Sequence, residues 1–449
     1  MRIELAAPQS FRQMLAEHLG RSDLPAISGI TIDSRLVQPG DLFVPIVGRR
    51  VDGHDLAGAA VRSGAVAVMV EREIEPLPKA VVIPVASNVK ELGALAKIWR
   101  SKYDLPLVAI TGSNGKTTTK NLIVDVLARR LTVLGTDRSY NGTIGLPLTI
   151  LRTGPDTELI VVELGSNQPG EIAYLAAIAR PQLALITNIS ETHLQFFHTL
   201  DGVAQEKMAI FQALPADGVA LVNRDDPRVA AMETVARRLT YSLSQPADVR
   251  GRYRESVKGA ALSIDRLPKI SMSQPGRHLA QNILAAVAVG LEMGVAPQQI
   301  KEAIEGFSIP SGRGEVIRHD GITLIDDSYN ANLASTLAGL QTLMRLPARG
   351  RRIVVFGDML ELGPISEEHH RQVGLSAVEH GVDELFCYGP QSRAAFCAAQ
   401  SAGLAVHHYT DKGELSAALG QVITAGDVVY VKGSRGMAME TIIDTVFSG

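Results

Sequence analysis

The stretch LVAITGSNGKTTTKNL, Leu107 to Leu122, constrains the fold more than any other part of the chain. An apolar run enters a glycine-bearing turn, and a helix-forming run leaves it. A strand that delivers its carboxyl end to such a turn, with a helix starting at once, belongs to a parallel α/β sheet. The turn is then an anion cradle. Its glycines let backbone N–H groups approach, and the first turn of the helix adds unpaired N–H groups and a favourable dipole. Lys116 would reach the outer phosphates of a nucleotide, and the Thr117 hydroxyl would suit Mg²⁺. The loop is short, however. The usual pattern puts four residues between its first glycine and the Gly-Lys-Ser/Thr end. Here two residues separate Gly112 from Gly115, and Ile110 occupies the usual first-glycine position. That spacing disfavours ordinary kinases and switch GTPases, and the sequence has no Asn-Lys-x-Asp guanine signature. The alternative is a plain glycine turn, but strand, glycines, Lys-Thr and helix all agree on the phosphate cradle.

With 449 residues the chain has length for about three domains. Residues 1–85 mix short strands and turns, as in DSRLVQPGDLFVPIVG and GAVAVMVE, and close on the proline-rich strand and linker EPLPKAVVIPVAS. Residues 86–309 open with the helical NVKELGALAKIWRSKY and then alternate helical patterns with the apolar runs LPLVAI, ELIVVEL, QLALITNI and DGVALVN. SIPSGRGEV marks a junction. Residues 310–449 repeat the style with ITLIDDS, RIVVFGDM, ELFCYG and DVVYVKGS. The expected fold class is α/β in three domains: a small N-terminal α/β domain, a central phosphate-loop domain with a mostly parallel sheet and covering helices, and a C-terminal Rossmann-like α/β domain. Ligands of such sheets bind beyond the carboxyl ends of the strands.

Charge and cysteine content narrow the function classes. A net charge of −3 gives no global basic field for nucleic acid or anionic membrane. Two cysteines, Cys387 and Cys397, exclude a disulfide framework and fit a reducing compartment. The N-terminus lacks the apolar run of a secretory signal, and no apolar run approaches a membrane span. A cytoplasmic protein without a transmembrane segment is the expectation.

GVAQEKMAIFQALP reads as a helix whose apolar stripe takes Val203, Ile210, Phe211 and Leu214, and Lys207 falls in phase with that stripe. A solvated or snorkelling lysine is the ordinary explanation. Glu163, at the end of LIVVEL, and His193, after LITNIS, should share the sheet edge of the phosphate loop. Glu163 is an oxygen donor suited to Mg²⁺, or else a cap or surface acid. His193 is a ligand or a satisfied loop histidine. A protonated Lys207 would repel a cation, so it would have to lose its proton or be modified. Addition of CO₂ would turn it into an anion with two oxygens.

Together the short TGSNGKT loop, VVELGSN, TNISETHL and the lysine helix resemble the ATP-dependent Mur ligases of peptidoglycan synthesis, of which folylpolyglutamate synthases are distant relatives. The resemblance covers nearly the whole chain. DSRLVQPGDLFVPIVGRRVDGHDL resembles a UDP-substrate domain of that family. DDSYNANLAS, GDMLELG and VKGSRGMAME resemble the third domain of the members that add a D-Ala-D-Ala dipeptide. An Asp-Asn-Pro-Arg motif, as in members that add lysine or diaminopimelate, does not occur there. Asn141-Gly142 stands where the family has Asn-Asn, Leu333 where proline is common, and Ala209 where a glutamate follows the modified lysine.

The resemblance implies a carboxylate–amine ligase. UDP-N-acetylmuramoyl-tripeptide would be phosphorylated by ATP to an acyl phosphate, which the amine of D-Ala-D-Ala would capture. It implies catalytic roles for Lys116, Lys207, His193, Glu163 and Arg313. ATP contacts would come from Thr111, Gly112, Ser113, Asn114, Gly115, Lys116, Thr117, Thr118, Asn282, Arg313 and Asp327. Mg²⁺ would lie on Thr117, Glu163, His193 and a carbamylated Lys207. Ser34 and Arg35 would meet the uridine diphosphate, and Tyr329, Asn330 and Lys432 the dipeptide. By residue type alone Asn282 is a helix-face amide, Arg313 a linker arginine, Asp327, Tyr329 and Asn330 a capped turn, Lys432 a surface lysine, and Ser34-Arg35 part of a turn. The expected partners are small molecules, with no nucleic acid, and the expected state is a monomer. The competing readings are a related ligase using another amine, including a folylpolyglutamate type, and a nucleotide-binding switch without chemistry.

Overall fold

The computed structural model describes residues 1–48, 51–137, 140–256, 259–265 and 267–447. Three sheets follow one another along the chain. The first runs in sequence order through Arg2–Glu4, Gly29–Thr31, Asp41–Phe43, Ala67–Val70 and Val81–Pro84, with only the first pair antiparallel. Helix Pro8–Leu19 covers it, starting at a proline in the first turn and ending at left-handed Gly20, where the absent Cβ permits the stop. Its Phe11 meets Trp99 edge-on at 5.9 Å. Trp99 lies in helix Asn88–Ser101 and donates its indole N–H to Thr153 O. One apolar core therefore continues from the first sheet into the second.

The central sheet has nine strands, in the spatial order Ile270–Met272, Gly259–Ile264, Val249–Ser256, Arg237–Ser242, Val219–Asn223, Leu183–Ile186, Leu107–Thr111, Leu159–Glu163 and Val133–Gly135. Seven are parallel, and the last two in sequence add an antiparallel ribbon. Strands Leu107–Thr111, Leu159–Glu163 and Leu183–Ile186 are buried throughout, which explains their unbroken apolar runs: helices cover both faces. The register sets Ile110 opposite Glu163 and Thr111 opposite Ile186, so the phosphate loop, Glu163 and the segment leading to His193 leave one edge together.

The third sheet runs Glu315–His319, Ile322–Asp327, Val428–Lys432, Arg352–Gly357, Glu384–Tyr388 and Ala405–Tyr409, again with only the first pair antiparallel. The sequence pattern identifies the four inner strands. It passes over Glu315–His319 and Ala405–Tyr409 because these edge strands are only partly buried and carry polar residues in place of an apolar run. The strands from Arg237 to Met272 escape for a similar reason: Arg237–Ser242 opens on two exposed arginines, and the later strands alternate exposed and buried residues. No helix among the described residues is long and apolar enough to cross a membrane.

Candidate active site

A cavity of about 790 Å³ lies between the carboxyl edges of the central and C-terminal sheets. The phosphate loop forms one wall. Gly112 has φ +146°, and a Cβ there would fall 1.9 Å from Thr187 Oγ1, so no other residue fits the turn. The segment after strand Leu183–Ile186 clasps the loop. Thr187 Oγ1 donates to Asn114 O at 2.6 Å, Asn188 Nδ2 donates to the same carbonyl at 3.0 Å, and Ser113 N donates to Asn188 O. Helix Lys116–Leu127 begins where the loop ends. Lys116 Nζ donates to the carbonyls of Gly112 and Ser113, which holds the ammonium over the turn. Burial pulls the Lys116 pKa down, the Glu163 charge opposes this, and Arg313 adds to it.

Thr117 Oγ1 donates to Glu163 Oε2 at 2.7 Å, and Asn141 Nδ2 donates to Glu163 Oε1 at 2.7 Å. The first member of the Asn141-Gly142 pair therefore engages the carboxylate directly, a role sequence reading did not assign to it. Lys120 was also missed. It is buried one helical turn beyond Lys116, where burial lowers its pKa and its ammonium donates to Thr136 O.

Helix Leu200–Gln212 starts at Thr199, whose hydroxyl accepts from Gly202 N, and carries Lys207 on its buried face. Lys207 is 2% exposed, neither solvated nor snorkelling. Its amine enters no hydrogen bond or salt bridge among the described residues. Burial, with the nearby charge of Lys116, pulls its pKa down to about 7 against the pull of Glu206. Glu206 meanwhile accepts from Gly170 N and Ile172 N, pinning this helix to the start of helix Glu171–Ala179.

His193 follows in a left-handed conformation, φ +53°, and its Nδ1 lies 2.5 Å from Glu361 Oε2 of the C-terminal domain. Burial lowers its pKa, Glu361 raises it, and Lys116 and Lys207 lower it further. Lys116, Lys207 and His193 are thus within electrostatic reach of one another.

The C-terminal sheet supplies the opposite wall. Asp327 and Lys432 are register partners, with Lys432 Nζ 2.5 Å from Asp327 Oδ2 and 2.9 Å from Asn330 O. The Tyr430 hydroxyl donates to the same Asp327 oxygen. Lys432 is buried, at 1% exposed, so the surface-lysine alternative does not describe it. The Arg313 guanidinium stacks 3.9 Å over the Tyr329 ring. Asn282, on helix Arg277–Glu292, abuts Gly115 closely enough that a Cβ there would lie 2.6 Å from its Oδ1. Asn332 Nδ2 donates to Asn114 Oδ1 across the domain boundary at 2.6 Å.

Of the residues singled out in the sequence, Ser113, Asn114, Gly115, Lys116, Thr118, Glu163, His193, Asn282, Arg313, Asp327, Tyr329, Asn330 and Lys432 line the one cavity. Thr111 faces the sheet instead: it is fully buried and its hydroxyl donates to Leu164 O. Ser34 and Arg35 stand on the short helix Ser34–Leu36 of the first domain and do not line this cavity, and the exposed Arg35 pairs with Asp33. Among the described residues no group of three or more His, Cys, Asp or Glu forms a ready cation cage. The donor set at hand is hydroxyl and carboxylate oxygen from Thr117 and Glu163 with imidazole from His193, and hard oxygens suit Mg²⁺.

Three consecutive sheets, a shortened phosphate loop and a buried lysine beside it define an ATP-dependent ligase architecture, and the chain belongs to the Mur ligase family. The Mur ligase family catalytic domain matches residues 26–103, the Mur ligase middle domain 110–290 and the glutamate ligase domain 312–435. Within the family, the chain is 34% identical to the UDP-N-acetylmuramoyl-tripeptide–D-alanyl-D-alanine ligase of Bacillus subtilis, covering 93% of this chain and 92% of the relative. It is 35% identical to the enzyme of the same name from Escherichia coli, covering 93% of each. A crystal structure of MurF from Acinetobacter baumannii superposes with a TM-score of 0.87 at 28% identity over 98% of both chains. MurF from Thermotoga maritima in complex with ADP gives 0.82 at 26% identity over 93% of this chain and 97% of that one.

Proposed function

We propose that this chain is an ATP-dependent ligase that joins D-Ala-D-Ala to UDP-N-acetylmuramoyl-tripeptide, in the cytoplasm and as a monomer. The domains would run 1–85 for the UDP substrate, 86–309 for ATP and 310–449 for the dipeptide and closure over ATP. The observation that carries the reading is the Lys207 side chain, 2% exposed and without a hydrogen bond, within electrostatic reach of Lys116 of the phosphate loop and of His193, with burial lowering its pKa to about 7. A nucleotide switch has no use for such a lysine, whereas a ligase that must bring two anions together has.

The reaction follows from acid chemistry. A carboxylate is a poor acyl donor, so one oxygen of the tripeptide carboxylate attacks the γ-phosphorus of ATP and ADP leaves. The amine of D-Ala-D-Ala then adds to the acyl phosphate carbon and phosphate departs, taking that oxygen with it. Positioning and electrostatics dominate such transfers. Lys116 holds the β- and γ-phosphates over the N–H groups of Gly115 to Thr118, since those of Ser113 and Asn114 are already donated to Asn188. Arg313, stacked on Tyr329, neutralises the transferring phosphoryl group from the other domain. Asn282 meets the adenine and Asp327 the ribose, while Tyr329, Asn330 and Lys432 orient the dipeptide. Ser34 and Arg35 take the uridine diphosphate, at the far end of a long substrate.

Lys207 as a neutral amine can add CO₂, losing one proton to form N-carboxylysine, whose single negative charge is shared by two oxygens. Thr117 and Glu163 would hold one Mg²⁺, and His193 with carboxylated Lys207 a second. Such cations would supply charge neutralisation between phosphates and carboxylate. The test incubates the protein with UDP-N-acetylmuramoyl-tripeptide, ATP, Mg²⁺ and a panel of amines. The expected result is a pentapeptide mass with D-Ala-D-Ala and none with lysine, diaminopimelate or glutamate. Product with one of those amines alone would overturn the specificity, and nucleotide binding with no product would overturn the ligase reading.

A further inference from the structure

The motif GDMLELG, residues 357–363, marks the family resemblance yet has no part in the chemistry described so far. It leaves the carboxyl end of strand Arg352–Gly357 beside the loop that follows strand Val428–Lys432, and the two loops are joined. Ser434 N donates to Asp358 O, and Leu360 N donates to Ser434 Oγ at 2.8 Å. From this braced loop Glu361 crosses to the central domain. Its carboxylate lies 2.5 Å from His193 Nδ1, and its carbonyl accepts from Gln195 N at 3.2 Å.

Both partners have unusual backbones. His193 has φ +53° and Glu361 φ +63°, two of the six described non-glycine residues with positive φ. Side chains resist that region, so each conformation costs free energy that other contacts must offset. That both ends of one cross-domain hydrogen bond adopt it indicates that the bond's geometry is what is held. A second cross-domain pair, His369 with Glu191 at 3.0 Å, lies alongside and connects ordinary backbones.

We propose that Glu361 is a positioning residue for His193: by accepting the hydrogen bond of Nδ1–H it fixes the tautomer and ring orientation that present Nε2 as a cation ligand, and it does so only when the C-terminal domain is seated. The inference rests on the reading of His193 as a ligand. Imidazole ligands commonly donate their other N–H to a carboxylate, which raises their basicity and fixes the ring. Here that carboxylate comes from a different domain. Completion of the second cation site would therefore be coupled to closure, so that ATP in the central domain alone would not assemble the full site.

The experiment uses the full chain, a non-hydrolysable ATP analogue at saturation, and Mn²⁺ as probe, with free Mn²⁺ read by electron paramagnetic resonance. Glu361→Ala is expected to raise the dissociation constant of the weaker Mn²⁺ site about 10- to 100-fold. Glu361→Gln, which keeps an acceptor, should give a smaller rise. The tighter site, analogue affinity and melting temperature should stay unchanged, as should the weaker site in Glu191→Gln. If His193→Ala leaves both Mn²⁺ constants as they were, the reading of His193 as a ligand fails. If His193→Ala weakens the second site while Glu361→Ala does not, the positioning role alone is overturned. A Glu361→Ala melting temperature lowered to the same degree as metal affinity, with no rescue by Gln, would likewise contradict it and mark Glu361 as structural.

Discussion

At the carboxyl edge of the central sheet, Lys116 feels the charge of Glu163 and, in turn, acts on Lys207 and His193, while the two Glu163 oxygens accept from Thr117 and Asn141. At the carboxyl edge of the C-terminal sheet, Lys432 is buried too, but against Asp327, with Asn330 and Tyr430 completing the set. The two edges have the same architecture and opposite electrostatic states. The central edge holds Lys116 and Lys207, which form no ion pair among the described residues, so burial and neighbouring cations push them toward neutrality against the more distant Glu163 and Glu206. The C-terminal edge is neutralised internally. An unbalanced cationic edge suits a site that receives phosphates and carboxylates. A balanced one suits a part that, in the proposed mechanism, moves as a unit and delivers Arg313.

The largest effect should come from the unbalanced side. Lys207→Arg keeps a cation but cannot take up CO₂, and it should lower the rate of pentapeptide formation about 10³-fold. The same residue predicts the pH response of the wild type. CO₂ adds to the neutral amine, and with a pKa lowered to about 7 that form dominates above pH 7 and is lost as pH falls through it. Stimulation by added bicarbonate should therefore grow as the assay pH is lowered from 8 toward 6. Unchanged turnover in Lys207→Arg, or indifference to bicarbonate at pH 6, would break the contrast between the edges. Arg313→Ala comes next, about 10²-fold in kcat with ATP affinity within a few-fold, because its contribution belongs to the transferring phosphoryl group. A loss confined to ATP binding would make it a ground-state contact.

The balanced side should respond in stability as well as in ligand binding. Asp327→Asn leaves Lys432 buried without its counter-charge, which should cost about 2 kcal/mol in denaturant unfolding, discounted for the part exposure of Asp327. Glu163→Gln, by contrast, breaks no ion pair: Glu163 acts on Lys116 only as a nearby charge and accepts from the neutral Thr117 and Asn141, so the change should cost less, about 1 kcal/mol. Equal costs would remove the distinction. The smallest effect is at the seam: Asn332→Ser keeps the helix cap but cannot reach Asn114, and should raise the KM for ATP about three- to fivefold, the worth of one net hydrogen bond.

Much of this was legible before any coordinates. Buried parallel strands leave unbroken apolar runs, so Leu107–Thr111, Leu159–Glu163 and Leu183–Ile186 could be read directly, and their shared polarity put Glu163 and His193 at the loop's edge. Lys207 was legible because an ionisable residue in an apolar helical phase breaks a local rule, and such breaks gather at sites. Asn141, Lys120, Glu361 and Asn332 were not. Their roles come from partners far away in the chain, and nothing in the spacing around Glu361 points to a histidine 168 residues earlier. Edge strands such as Ala405–Tyr409 were invisible for the converse reason: half-exposed backbone needs no apolar run.

In the proposed reaction an acid is activated by phosphate before nitrogen captures it. The direct measurement uses UDP-N-acetylmuramoyl-tripeptide labelled with ¹⁸O in the reacting carboxylate, with ATP, Mg²⁺ and D-Ala-D-Ala, and analyses the released phosphate by mass spectrometry. One labelled oxygen is expected in each phosphate formed, in step with pentapeptide. Phosphate that carries oxygen from solvent instead, with the label still complete in the tripeptide, would mean that this site hydrolyses ATP and joins nothing.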